Sequence, residues 1–194
     1  MTIERPDWGD ERERRITWHD PLLGAGVGRQ SSGRDYLQAM LDGVLPPPPI
    51  ARTLGFALTR IEDGEAWFSC TPDESTYNPI GSVHGGLVCT LLDSALGCAV
   101  HTQLPAGVGY TSIEIKINYL RGVNAASGLL TAHGWVTKPG RRVAFVDGDL
   151  RDASGRLVAT ATGSCLIIGA DPDPRRPCWH SPWSSANVGL ALSP

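Results

Sequence analysis

Between Leu87 and Val100 the chain is apolar or small at almost every position, and its one charged residue there is Asp93. An ionised carboxylate in such a stretch is costly unless it is paired, hydrogen-bonded or put to chemical use. Two readings fit: a carboxylate satisfied by nearby backbone or hydroxyl groups, or one that acts as base or nucleophile. Upstream, His84-Gly85-Gly86 opens the same stretch. Two glycines at a helix start leave backbone N–H groups unshielded, where they can polarise a carbonyl or hold an anion. A tight turn that needs glycine for steric reasons is the other reading.

Further residues carry weaker signals. Lys138, Arg141 and Arg142 flank Pro139-Gly140, and Arg121 ends a strand-like segment. They suit either a solvated hairpin tip or a grip on phosphate groups. His19, His101, His133 and His180 show no ligand spacing, so no metal is assigned. Five cysteines without a C-x-x-C pair give neither a disulfide framework nor a zinc site, and Cys89 and Cys98 read as small core residues.

These groups need elements to position them. The spacing predicts one long helix, roughly Gly85 to Gln103, stopped by Leu104-Pro105-Ala106-Gly107. Before it, Leu54 to Ile61 and Glu65 to Cys70 read as strands around Glu62-Asp63-Gly64, followed by a loop from Thr71 to Val83. After it come four strand-like segments: Tyr110 to Leu120, Gly128 to Lys138, Arg142 to Arg151 and Leu157 to Ile168. Six strands and one long helix imply an α+β fold in which a curled antiparallel sheet wraps the helix.

The rest of the chain is less ordered in pattern. Residues 1–49 read as an N-terminal arm with a short amphipathic helix over Asp35 to Leu45 and a stiff Pro46–Pro49 connector. Gly24-Ala25-Gly26-Val27-Gly28 lacks a preceding strand and any Gly-Lys-Ser, so it reads as flexible linker. Residues 50–168 form the domain, and residues 169–194 read as a tail without structure. A net charge of −3 offers no general attraction for nucleic acid or an anionic membrane. The longest apolar run is too short to span a bilayer, and the charged N-terminus lacks the apolar core of a signal peptide. A cytoplasmic location is the expectation.

Asn78-Pro79-Ile80-Gly81-Ser82-Val83-His84-Gly85-Gly86, followed by Leu91-Leu92-Asp93, resembles the signature of the PaaI-type hotdog thioesterases. Tyr110 to Arg121 is similar to the strand that follows the helix in that family, and the similarity spans about residues 50 to 168. The resemblance implies a hotdog fold and hydrolysis of an acyl-CoA thioester without a cofactor. It implies that the Gly85 N–H, beside Gly86, receives the thioester carbonyl. Asp93 would be the nucleophile or the general base. Asn78 would help hold the carbonyl or the water, His84 would shape the loop, and Ser112 would stand near the hydrolytic water. Some relatives carry Thr one turn after the carboxylate, where this chain has Gly97, so that hydroxyl is absent.

Helix geometry adds a consequence of its own. Gly85 and Asp93 lie about 12 Å apart along one axis, too far for one carbonyl carbon to meet both. Asp93 must then meet Gly85 of a second subunit, which predicts a required homodimer and leaves room for a dimer of dimers. Two rival functions remain at this level: a non-catalytic acyl-CoA-binding protein, and a hotdog hydratase or dehydratase acting on the acyl chain.

Overall fold

A computed structural model of the chain describes residue 7 and residues 9–169. Residues 170–194, expected to form a tail without structure, lie outside the described residues.

The first three helices are short and begin at side-chain or proline starts. Helix α1 covers Pro21–Gln30, with the Asp20 carboxylate accepting the Leu22 N–H at 2.8 Å. Helix α2 covers Gly33–Leu41 and is capped by Ser32, whose hydroxyl accepts the Asp35 N–H. Helix α3 covers Pro49–Leu54 and ends at Gly55, where φ is 70°. This departs from the sequence expectation in two places. The glycine-rich 24–28 segment is helical because Asp20-Pro21 starts a helix and the glycines leave room for a neighbour. A Cβ at Gly28 would stand 3.2 Å from the Tyr36 ring. The extended proline connector stops at Pro48, since a proline at the first helical position gives up no needed N–H.

The strands are β1 (Phe56–Glu62), β2 (Glu65–Cys70), β3 (Gly109–Tyr119), β4 (Leu130–Lys138), β5 (Val143–Arg151) and β6 (Leu157–Ile168). The long helix, α4, covers Gly85–His101. All strand pairs are antiparallel, in the order β1-β2-β4-β5-β6-β3. Sequence neighbours β2 and β3 thus lie far apart in the sheet, because α4 intervenes and carries the chain across it.

Burial of α4 against the sheet makes the core. Leu91, Leu92, Ala95 and Ala99 of the helix meet Ala66, Leu130, Ala132 and Leu150 of the strands, all fully buried. Close approach depends on glycine at one strand position in particular: a Cβ at Gly134 would lie 2.5 Å from the Ala95 carbonyl carbon. Strand β3 has β6 on one side and, among the described residues, no strand on the other. The described residues contain no helix long and apolar enough to cross a membrane.

Candidate active site

The loop before α4 is built by its own polar side chains. The Asn78 side-chain oxygen accepts the N–H groups of Ile80 and Ser82, both at 3.1 Å, and its amide nitrogen donates to the Ser82 hydroxyl. The His84 N–H reaches the Thr76 carbonyl at 2.8 Å, and Val83 donates to Val123. The chain thereby enters the helix at a fixed angle.

Each residue of the His-Gly-Gly start has a distinct task. His84 is the N-cap, its exposed ring accepting the Gly86 N–H on Nδ1 at 2.8 Å. Any Cβ at Gly86 would collide with that ring nitrogen at 2.8 Å. A Cβ at Gly85 would press on the Tyr119 ring at 3.2 Å, and the Tyr119 hydroxyl donates to the Gly85 carbonyl. The Gly85 N–H itself has no acceptor among the described residues. It stands free at the positive end of α4, where a developing oxyanion gains most.

Asp93 lies on the exposed side of α4, with buried Leu91 and Leu92 turned to the sheet. Its Oδ1 accepts the Ser112 hydroxyl at 2.8 Å. That bond orients one carboxylate oxygen and leaves the other open to a water or a substrate. Gly85, Cys89, Asp93 and Gly97 recur every four residues, so they share one face of the helix. Strand β3 runs antiparallel to that face and meets it in three rungs: Tyr119 at Gly85, Ser112 at Asp93, and Tyr110 at Gly97.

The cationic residues do not converge within the single chain. Arg121 follows β3 near the start of α4, its Nε bonded to the Leu157 carbonyl. Lys138, Arg141 and Arg142 are exposed at the β4–β5 turn, where Arg141 shares a hollow with Val100, Gln103 and Leu104 beyond the opposite end of α4. A second hollow, between Arg12 and Arg14 and the Asp73–Tyr77 turn, likewise reaches neither Asp93 nor Gly85. No motif singles out Tyr119 or Tyr110; the trace they leave in the sequence is the glycine opposite each.

Comparison with known proteins decides what this arrangement belongs to. The family model described as the thioesterase superfamily matches residues 80–159, a span that holds Gly85, Asp93 and Ser112. Human acyl-coenzyme A thioesterase 13 is 32% identical over 111 residues, covering 56% of this chain and 77% of that protein. The chain belongs to the thioesterase superfamily. Among solved structures, a phenylacetic acid degradation-related protein from Ralstonia eutropha JMP134 is 32% identical, with a TM-score of 0.62 over 68% of this chain and 98% of that one. The E. coli PaaI protein from the phenylacetic acid degradation operon, at 24% identity, shares the fold with a TM-score of 0.62 over 72% of this chain and 96% of that one. The molecule is thus a PaaI-type hotdog thioesterase, an enzyme that hydrolyses a thioester. Its helices α1 to α3 and strands β1 and β2 all precede the matched span.

Proposed function

We propose that this thioesterase hydrolyses acyl-CoA esters at a site shared between two copies of the chain, with Asp93 of one copy facing Gly85 of the other. One observation carries the proposal. The exposed Asp93 carboxylate, oriented by Ser112, sits eight residues along a single helix from the free Gly85 N–H. At a rise of about 1.5 Å per residue those groups are about 12 Å apart, and no side chain can shorten a backbone helix. A two-fold pairing of α4 with its copy, antiparallel, sets each Asp93 beside the other Gly85 and makes two equal sites. The open side of α4 and the free edge of β3, with Ile113 exposed at its bulge, are the surfaces available for that pairing. The same pairing moves the Lys138–Arg142 turn of one copy toward the helix start of the other, where it and Arg121 can receive CoA phosphates.

In the reaction the thioester oxygen accepts the Gly85 N–H as the carbonyl carbon becomes tetrahedral. Asp93 either takes a proton from the attacking water or attacks the carbon itself, in which case water then releases the acyl group. The C–S bond breaks and the thiolate leaves, which is easy because a thiol pKa near 8.5 lies far below that of an alcohol. Asn78 and His84 act by fixing the loop and the helix start; an acyl-CoA binder or a hydratase would use the same N–H, and only hydrolysis releases thiol.

Thiol release from a panel of CoA esters, read with a chromogenic disulfide, tests the chemistry. Asp93→Asn is expected to lower kcat by about 10²–10⁴-fold while the dimer stays folded, the range a positioned base supplies. Sharing of the site is tested by mixing two dead variants. Gly85→Pro removes the N–H at the first helical position, which suits proline once the exposed Tyr119 ring swings aside. Subunits of Gly85→Pro and Asp93→Asn, unfolded and refolded together, should recover about a quarter of wild-type activity, since half the dimers would hold one intact site. A mixture as inactive as its parents would overturn the shared site.

A further inference from the structure

The seam where α4 meets β3 has two unlike ends. From Asp93 toward the helix start it passes Cys89 and reaches Tyr119, which is 54% exposed. In the other direction it meets buried Gly97 and then Tyr110, which packs against the core. A Cβ at Gly97 would stand 2.6 Å from the Tyr110 ring and 2.7 Å from its hydroxyl, so the phenol lies directly on the helix backbone. Behind it the His101 ring follows at 5.5 Å, and the Tyr36 ring lies 5.7 Å from His101. Tyr36 belongs to α2, which reaches this place because Gly33 sits against the His101 carbonyl, where a Cβ would be 1.8 Å away. An aromatic chain thus runs from the N-terminal helices to the rung next to Asp93.

A thioester bound with its carbonyl carbon at Asp93 must send the nucleotide part of CoA to water and its apolar acyl part to apolar walls. The Gly97–Tyr110 end is the buried one. We infer that Tyr110, buttressed by His101 and by Tyr36 of the N-terminal helices, is the end wall of the acyl pocket and restricts the enzyme to compact acyl groups. From Asp93 to Gly97 the helix rises about 6 Å, which matches the length of one ring or about four chain carbons. The inference rests on the reading of Asp93 as the hydrolytic carboxylate. Tyr110 touches substrate, whereas Tyr36 is a positioning residue that acts through His101.

The test compares kcat/KM for butyryl-, benzoyl-, octanoyl- and dodecanoyl-CoA in the full-length wild type, Tyr110→Ala, Tyr110→Leu and Tyr36→Ala. Wild type should prefer the two compact esters by at least about tenfold, a gap within reach of a few displaced methylenes. Tyr110→Ala should raise the octanoyl-to-butyryl ratio at least about tenfold, chiefly through KM. Tyr36→Ala should move it in the same direction by less. Should Tyr110→Ala fail to fold, Tyr110→Leu, which keeps the site apolar, must still raise the ratio. A uniform loss across all four esters in the folded variants, or a wild type that already favours dodecanoyl-CoA, would overturn the inference. Asp93→Asn separates the two failures: if it stays active the hydrolytic reading falls, and if it is dead while the ratios stay put only the end wall falls.

Discussion

At the scale of single residues, Asp93 gains its direction from Ser112, and removing that hydroxyl should cost rate more than stability. Ser112→Ala is expected to lower kcat about tenfold, the worth of one hydrogen bond to a charged group, with the melting temperature held within a few degrees. Cys98 offers a second check, this time on the packing of Tyr110. Burial pushes its thiol from 9.0 up to about 12, with the Tyr110 hydroxyl in contact. Below the ordinary thiol value the group is neutral in the folded and unfolded chain alike. As pH climbs from there toward 12 only the unfolded chain ionises, so stability falls. Urea midpoints measured at neutral pH and near pH 10.5 should show this alkaline loss, and Cys98→Ala should reduce it. Asp93 and Gly85 were legible as candidates, because a lone charge in an apolar helix and a glycine pair at its start stand out by type and the resemblance of Asn78 to Asp93 gave them roles. Tyr119 and Tyr110 were not, because a glycine records that a side chain is missing and says nothing of what fills the gap.

At the scale of elements, the six strands and the long helix follow from apolar period and turn residues, and Leu157–Ile168 was readable end to end. Helix α1 was not, since the five residues from Gly24 to Gly28 have no apolar period and three of them are glycine. Its helical state depends on the Asp20-Pro21 start and on Tyr36 lying across Gly28, a contact made by the next helix. The packing of α4 has a comparable hidden requirement in β4. Gly134→Val would drive a branched side chain into the Ala95 backbone, and backbone cannot swing aside as a side chain can. A loss of about 3 kcal/mol or more is expected, read as a lower urea midpoint with an unchanged slope.

At the scale of the whole molecule, the proposed shared site makes the chain one half of a working enzyme, and the exposed edge at β3 tests that. Ile113, 55% exposed at the β3 bulge, is an apolar side chain that the proposed pairing would cover. Ile113→Asp is expected to shift sedimentation from dimer to monomer and to lower thiol release in parallel, whereas a charge at exposed Leu22 on α1 should do neither. A homodimer was already an expectation from the sequence, resting on the rise of a helix, two residue numbers and the roles that the resemblance gives them. The end wall was not, because it joins a helix near the start of the chain to a strand far along it. On the proposed pairing, the helix that joins Gly85 to Asp93 also acts as a ruler common to both reaction centres. One residue inserted between them would turn the carboxylate by about 100° around the axis and advance it about 1.5 Å. Neither partner could correct the error for the other, because both would carry it, so the two centres can be lost together by a single indel but never repaired one at a time.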